Sequence, residues 1–453
     1  MENKKRYERP VVIKQYSGFM NKFGSRPVLN PVTTIDGIEV DELAERFGSP
    51  LFVISEKAIR SNQRKANRIF KTRYPKVQFA WSYKTNYLNA VCAVFHQEGS
   101  WAEVVSRFEY DKAKKLGVKG ENIIFNGPDK SRDDLTVAIN DGAKIHIDHF
   151  DELYELIDLT SQLNKKANVA IRVNMDTGTY PKWDRFGFNF ENGEAWQALK
   201  RIIAATNLNL VGLHTHIGTY MMQADSYKTA AIKMAQLAAG LKRENGILLD
   251  YIDMGGGLPS NNTLIGQYLP AEQILPTLEE FADAISEGLM TLNFQPDEMP
   301  LLILESGRAL IDDTSKLIST VIAVKRLSDG RRALIVDAGV NLLFTRFWYK
   351  HKINPAQDSG VMTEDTAIYG PLCMNIDCLA ESLVMPVLKK GDKLIIDYVG
   401  AYNMTQWMQF IHMRPNVVMI LEDGTVELIR KAEDLDYVQM PEVLPEKFKS
   451  LPV

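Results

Sequence analysis

The segment VQFAWSYKTN, residues 77–86, joins an apolar run to a lysine and sets a pattern that the chain then repeats. Val77 to Ser82 has the length and the aromatic content of a buried β-strand. Lys84 follows almost directly. Most lysines after a strand are surface residues, but a lysine in a desolvated pocket has a lowered pKa and can react with an aldehyde. The fold around Lys84 therefore decides what this residue does.

Seven further apolar runs follow, and amphipathic stretches such as residues 151–163 and 227–241 separate them. The predicted strands are residues 101–105, 122–126, 143–148, 169–174, 208–214, 249–254 and 300–305. Strands that alternate with helices in this way predict an α/β fold, a (β/α)8 barrel of the TIM type. The alternative is a doubly wound open sheet, but no GxGxxG turn follows the first strand.

The pattern changes after about residue 311, where strand-like runs follow one another without long helices between them. These runs are residues 316–325, 332–336, 393–398, 417–421 and 425–429. Residues 29–54 contain similar pieces. We therefore predict that residues 55–310 form the barrel and that residues 311–453 form a second, mainly β domain, a sandwich or barrel. Residues 1–54 are expected to contribute to that second domain.

Composition limits the classes of function. The 453 residues are 45% hydrophobic, enough for a large core, and the net charge of -4 comes without a basic stripe that would bind nucleic acid. No apolar run is long enough to span a membrane. Cys92, Cys373 and Cys378 are too few and too scattered for a disulfide framework or a zinc site, which predicts a cytoplasmic protein without a bound metal.

Polar residues gather at the predicted strand ends, and active sites of such barrels lie at the C-terminal ends of the strands. Each has an ordinary explanation alone: Glu305 could pair with Arg308, His216 could be structural, and residues 255–257 could be a plain turn. Three glycines after a strand also let backbone N–H groups approach a phosphate. The residues concerned are Lys84, Glu103, Asn126, His146, Asp148, Arg172, Asn174, His214, His216, Thr219, Gly255, Gly256, Gly257, Glu305, Gly307 and Arg308.

Six short motifs occur in a characteristic order: YKTN at 83–86, HTHIGT at 214–219, GGG at 255–257, ESGR at 305–308, GPLC at 370–373 and GAY at 400–402. With these motifs the chain resembles the fold-type III pyridoxal-phosphate decarboxylases, which include diaminopimelate decarboxylase and ornithine decarboxylase. The resemblance extends from about residue 29 to 440 and implies a pyridoxal 5'-phosphate cofactor and an amino-acid substrate.

The resemblance also implies roles for individual residues. Lys84 would bind the cofactor aldehyde, His216 would stack on the ring, and Glu305 would contact the ring nitrogen. Glu103 and Arg172 would line the ring pocket. The phosphate would be held by Gly255, Gly256, Gly257, Thr219, Gly307, Arg308 and Tyr402. Cys373 would reprotonate the α-carbon, and both Cys373 and Tyr402 would come from the partner subunit of a head-to-tail homodimer.

The substrate-binding positions depart from the resemblance. Met374 follows Cys373 where the family usually has an acid that binds the distal amine of the substrate. A methionine cannot neutralise an ammonium, so an unusual distal group is expected unless Asp377 substitutes. Arg346 and Tyr349 are the candidates for a distal carboxylate site. An amino-acid racemase of the same fold is the rival function, but there an arginine, rather than a carboxylate such as Glu305, faces the ring nitrogen. A decarboxylase of a specialised pathway acting on a modified amino acid also remains open.

Overall fold

The computed structural model describes residues 31–360 and 362–449, so most of the N-terminal segment assigned to the second domain lies outside the described residues. These residues form two compact units. One contains Ser55–Ser315 and Tyr398–Gln406, and the other contains the remaining described residues. In the described part of the chain, no helix combines the length and apolar character needed to cross a membrane.

A short β-hairpin, a helix and a strand precede the barrel unit in the chain, and a second helix is its first element. The side chain of Ser55 accepts a hydrogen bond from Ala58 N and so caps the second helix, whose buried face includes Ile59 and Phe70. These elements are β1 Thr34–Ile35, β2 Ile38–Glu39, α1 Val40–Phe47, β3 Leu51–Ser55 and α2 Glu56–Lys71.

Eight parallel strands close into a barrel, as the sequence predicts, because the strand that begins at Leu208 pairs with both of its neighbours. Their near-complete burial explains why they read as apolar runs rather than as alternating ones. The strands are β4 Val77–Ser82, β5 Trp101–Val104, β6 Ile123–Phe125, β7 Lys144–Ile147, β8 Ala167–Asn174, β10 Leu208–His214, β11 Tyr251–Asp253 and β12 Leu301–Ser306. The short strand β9 Phe188–Asn189 pairs only with β8.

Helices follow the barrel strands and cover them. Several begin at a side-chain cap, since Ser106, Ser131 and Thr277 each accept a hydrogen bond from a backbone N–H of the first turn. The helices are α3 Asn89–Gln97, α4 Arg107–Lys115, α5 Arg132–Asp141, α6 Phe150–Leu163, α7 Glu194–Ala204, α8 Ala224–Asn245, α9 Leu278–Met290 and α10 Arg308–Ile311.

The other unit is mainly β, as predicted, and β3 lies in its sheet between two strands from the C-terminal part of the chain. The sequence did not predict three of its strands, which begin at Ile353, Thr363 and Cys378. The strand from Cys378 lies at the sheet edge, where polar residues interrupt the apolar pattern. The elements are β13 Ser315–Arg326, β14 Arg332–Val336, β15 Ile353–Pro355, β16 Thr363–Tyr369, β17 Cys378–Pro386, β18 Lys393–Asp397, β19 Val417–Ile420, β20 Val426–Arg430 and α12 Leu435–Gln439.

Tyr398–Gln406, which contains α11 Asn403–Gln406, belongs to the barrel unit although its neighbours in the chain do not. Tyr402 N donates to Thr85 O at 2.8 Å, and Thr405 Oγ1 donates to Lys84 O at 2.9 Å. The sequence division places this segment in the second domain, because hydrogen bonds to a distant loop leave no local pattern.

Trp81 links β4 to the loop that carries Lys84. Its indole is fully buried and stacks on Phe95 of α3, with ring centroids 3.7 Å apart. Its Nε1 donates to Asn86 O at 3.2 Å. The same side chain therefore packs the helix layer and fixes the end of the loop after β4.

Trp81→Ala is expected to lower the free energy of unfolding by about 3–5 kcal/mol, because it leaves a large cavity and removes the bond to Asn86 O. Denaturant unfolding followed by circular dichroism measures the change. Tyr268→Ala, at a side chain that is 99% exposed, is the control and should change stability by less than about 0.5 kcal/mol. Equal stabilities of the two variants would contradict the packing role of Trp81.

Candidate active site

Lys84 and Glu103 form the contact on which the site is built. Lys84 Nζ lies 2.5 Å from Glu103 Oε2, and Ser82 Oγ donates to the same oxygen at 2.5 Å. Asn126 Nδ2 donates to Glu103 Oε1 at 3.1 Å. The register of β4 against β5 pairs Ser82 with Glu103, so strand pairing itself brings these groups together. Glu103 is fully buried, and its charge is balanced by Lys84.

The sequence expectation of a lowered Lys84 pKa is wrong for this arrangement. Burial lowers the pKa of Lys84, but the nearby buried carboxyls, above all Glu103, outweigh burial and hold the pKa above its ordinary value. Burial also acts to raise the pKa of Glu103, yet the charge and hydrogen bond of Lys84 leave that pKa below its usual range. Lys84 is therefore an ammonium here, and Glu103 is the carboxylate that holds it in place.

Glu305, at the end of β12, is a second buried acid, and its pKa is shifted in the opposite direction to that of Glu103. It receives a hydrogen bond from Asn126 Nδ2 and lies against Asp253 at the end of β11. Burial raises the pKa of Glu305 well above its usual range, and the negative charges of Asp253 and Glu103 add to this effect. Glu305 consequently holds a proton more tightly than an ordinary carboxyl does.

The triple glycine turn lies against His216 and Glu305. Gly256 N donates to His216 Nδ1 at 3.0 Å, and Gly255 N donates to Asp253 Oδ1 at 2.8 Å. A Cβ on Gly256 would lie 2.6 Å from Glu305 O, so no larger residue fits between these elements. Burial lowers the pKa of His216 well below its usual value, so the imidazole that faces the turn is neutral.

Arg308, Thr219 and Tyr402 form one group. Arg308 Nη2 donates to Thr219 Oγ1 at 3.1 Å, and its guanidinium lies 4.7 Å from the ring centroid of Tyr402. This contact within one chain corrects the expectation that Tyr402 reaches the site from a partner subunit. Tyr402 adopts a φ of 64°, which is rare for a bulky residue, and the bond from its N–H to Thr85 O supports it there. A Cβ on Gly307 would lie 2.5 Å from Thr85 Oγ1.

Arg172, on β8, contacts the loop of residues 176–187. Its guanidinium is 3.7 Å from Asp148 Oδ1 and 4.4 Å from the ring centroid of Phe186. Trp183, from the same loop, lies 5.4 Å from the His216 ring. Arg172 and Trp183 therefore both lie close to the His216 imidazole.

Cys373 and Met374 belong to the mainly β unit, in the loop between β16 and β17. Cys373 is an exposed free thiol, and Met374 is half-buried. Residues 375 and 376, an asparagine and an isoleucine, are also exposed. The exposed residues of this loop thus carry no charge.

Asp377 holds the loop in place rather than facing solvent. Its side chain is buried, and its two oxygens accept hydrogen bonds at 2.8 Å from Val340 N and Leu372 N. A Cβ on Gly339 or Gly370 would lie within 3 Å of this carboxylate, so the glycines make room for it. The alternative that Asp377 replaces the missing acid at position 374 is therefore not supported by its geometry.

Arg346 and Tyr349, the sequence candidates for a distal carboxylate site, lie in the same unit as Cys373. Arg346 Nε donates to Leu379 O at 2.6 Å. Tyr349 is 2% exposed and packs edge-on against Trp348 and His351. Tyr349 is thus part of the core of this unit, and Arg346 is the more accessible of the two.

The structure adds residues that the sequence analysis did not assign. Asp253 is an acid inside the apolar run YIDM, which is a usable signal, since an acid buried in a strand needs a reason. Asn126 was noted at a strand end without a role, and it bridges the two acids. Trp183 lies in an irregular loop whose sequence has no periodicity, so no pattern could have indicated it.

These residues fit the cofactor that the resemblance implies. Pyridoxal phosphate carries an aldehyde, a basic ring nitrogen and a phosphate, and the barrel presents an amine at Lys84, a buried acid of raised pKa at Glu305 and a guanidinium at Arg308. The turn at Gly255 to Gly257 excludes side chains, as a backbone surface for a phosphate requires. The donor set thus has one partner for each functional group.

Comparison with known proteins identifies the family of this chain. Residues 58–312 match the family model described as pyridoxal-dependent decarboxylase, pyridoxal binding domain. Diaminopimelate decarboxylase of Methanocaldococcus jannaschii is 30% identical over 91% of this chain and 95% of its own, and that of Aquifex aeolicus is 29% identical over 90% and 94%. A crystal structure of the M. jannaschii enzyme superposes with a TM-score of 0.83 at 29% identity, covering 91% of this chain and 96% of the other. The chain belongs to the family of pyridoxal-dependent decarboxylases.

Proposed function

We propose that this decarboxylase removes the α-carboxylate of an amino acid whose distal end carries no free ammonium, with Lys84 as the residue that binds the cofactor. The contact between Lys84 Nζ and Glu103 Oε2, at 2.5 Å, is the observation that carries the assignment of Lys84. Glu103 holds the Lys84 amine in place, and this amine must lose its proton before it reacts with an aldehyde. Glu305 would then hold the ring nitrogen, His216 would cover the ring, and Arg172 and Glu103 would line the ring pocket.

Bound pyridoxal phosphate supplies an aldehyde and a conjugated ring that takes up the electron pair of the breaking carbon–carboxylate bond. The chain supplies the surroundings of that bond. Arg308 with Thr219, Tyr402, Gly307 and the glycines at 255–257 would hold the phosphate and fix the ring. Glu305 would donate its proton to the ring nitrogen and keep it there, which strengthens the ring as an acceptor of electrons.

The proton that returns to the α-carbon is assigned to Cys373. Its thiol is exposed in a loop of the mainly β unit, which is consistent with a site completed by the partner's Cys373 in a head-to-tail homodimer. The three free cysteines agree with a reducing, cytoplasmic location.

The distal end of the substrate would meet the loop that begins at Cys373. Met374 stands at the family's acidic position, the exposed residues beside it are uncharged, and the Asp377 carboxylate is occupied by two backbone N–H groups. An ammonium placed against this loop would lose hydration without gaining a counter-charge. The arrangement favours a modified amino acid with an uncharged distal group over diaminopimelate, ornithine or lysine.

Glu103→Gln should lower the pKa of Lys84, because it removes the charge that raises this pKa most. Reaction of Lys84 with acetic anhydride at pH 8, measured by peptide mass spectrometry on the cofactor-free protein, should therefore become faster. Glu121→Gln, at an exposed acid, is the matched control and should leave the rate unchanged. Unchanged or slower labelling in Glu103→Gln would remove Glu103 as the partner of Lys84.

Cys373→Ala should lower kcat by about 100-fold or more, because a positioned general acid contributes at least that much. The absorption band of the bound cofactor should remain. Cys378→Ala, five residues further along the same loop and strand, is the control and should keep near-normal turnover. Full carbon dioxide release by Cys373→Ala would exclude Cys373 as the acid.

Met374→Glu should raise kcat/KM for lysine or diaminopimelate by about tenfold or more, because it restores a partner for the distal ammonium. Carbon dioxide release across a panel of amino acids is the measurement. Asn375→Glu adds the same charge at the next position and is the control. It should leave the substrate preference of the wild type unchanged. If the wild type already prefers diaminopimelate to every uncharged analogue, the proposed substrate class is wrong.

A further inference from the structure

Four buried ionisable groups meet inside the barrel, each from a different strand. They are His146 from β7, His214 from β10, Asp253 from β11 and Glu305 from β12, and their ligating atoms lie within 4.8 Å of one another. The register pairs His214 with Asp253 directly. The proposed roles use Glu305 alone, so the other three need an explanation.

His214 lies between the two acids. Its Nδ1 is 3.5 Å from Glu305 Oε1 and 3.7 Å from Asp253 Oδ1. In the described structure, His214 Nδ1 and Asp253 Oδ2 are buried without a hydrogen-bond partner. A proton on Nδ1 is the tautomer that gives this atom an acceptor, because Glu305 Oε1 and Asp253 Oδ1 both lie near it.

His146 and Tyr251 support His214 from behind. The His146 ring lies 4.7 Å from that of His214, and its Nε2 is 2.9 Å from the Tyr251 hydroxyl. A Cβ on Gly212 would lie 2.4 Å from the Tyr251 ring, so Gly212 in β10 leaves the space that this ring occupies. These contacts restrict rotation of the His214 imidazole, and burial excludes water from it.

The surrounding charges favour a neutral His214. Burial lowers the pKa of His214 well below its usual value, and the positive charges of Arg172, Lys84 and Lys130 act in the same direction. Burial lowers the pKa of His146 as well. His214, Lys130 and Lys144 lower this pKa further, and the charge of Asp253 opposes them. Burial raises the pKa of Asp253 to about 6. The group therefore contains two neutral imidazoles beside two acids that hold a proton more tightly than usual.

We propose that His214 is a positioning residue whose Nδ1–H stabilises the carboxylate of Glu305 once Glu305 has given its proton to the ring nitrogen of the cofactor. The proton leaves Glu305 Oε and forms the N–H bond of the ring, and the negative charge stays on Glu305. The N–H of His214 then makes a charge-assisted hydrogen bond to that oxygen, with Asp253 as its alternative acceptor. Contacts of this kind shorten when the binding partner completes the site.

This inference rests on the proposed contact of Glu305 with the ring nitrogen, so the test separates the two. The probes are pyridoxal phosphate and 1-deazapyridoxal phosphate, which lacks the ring nitrogen. The measurement is the ratio of their dissociation constants for the cofactor-free protein. A wild type that does not discriminate between the probes, or a Glu305→Gln variant that discriminates as well as the wild type, would contradict the role of Glu305 itself.

His214→Leu should reduce this discrimination by about tenfold or more, because only the nitrogen-containing probe creates the charge that His214 stabilises. His214→Asn places an amide N–H near the position of Nδ1 and should restore most of it. His149→Asn, at an exposed histidine that caps α6, keeps a capping residue and should behave as the wild type. Circular dichroism of each variant checks that the barrel has folded.

Three results would overturn the proposal. His214→Leu could retain the wild-type ratio, or it could weaken both probes equally, which is what a purely structural role predicts. The third is stoichiometric zinc in the purified wild type, since two histidines and two carboxylates also form a donor set for that ion.

Discussion

The buried carboxylate of Glu103 is the constraint on which the active end of the barrel depends. Its oxygens are shared by Lys84, Ser82 and Asn126, and Asn126 also bonds to Glu305. A buried charge is tolerated only while its partners stay in place. Glu103 therefore fixes the Lys84 side chain and, through Asn126, the acid on the far side of the barrel.

Glu103 and Glu305 are two buried acids of one barrel whose pKa values are shifted in opposite directions. Lys84 holds the pKa of Glu103 low against the effect of burial, whereas burial and the nearby Asp253 and Glu103 charges raise that of Glu305. Environments that shift the pKa values of two acids apart in this way are typical of sites in which the two acids have different roles. In the proposed site, Glu103 holds the Lys84 ammonium, and Glu305 would donate a proton to the ring nitrogen.

Much of the barrel was predictable because its strands are buried on both faces and therefore appear as apolar runs. Val77–Ser82 and Leu208–His214 match their predicted bounds, and the polar residues at their ends do lie at one end of the barrel. The edge strand at Cys378 and the return of Tyr402 to the barrel were not predictable, since both depend on hydrogen bonds to distant backbone. The charge of Lys84 was predicted wrongly, because burial was weighed without the acid at the next strand.

Every role proposed for the other site residues depends on attachment of the cofactor to Lys84. Borohydride reduction of the protein loaded with pyridoxal phosphate, followed by peptide mass spectrometry, identifies the lysine that carries the phosphopyridoxyl label. We expect one label per chain, on Lys84. A label on another lysine of the barrel, such as Lys130, with Lys84 unmodified, would contradict this assignment.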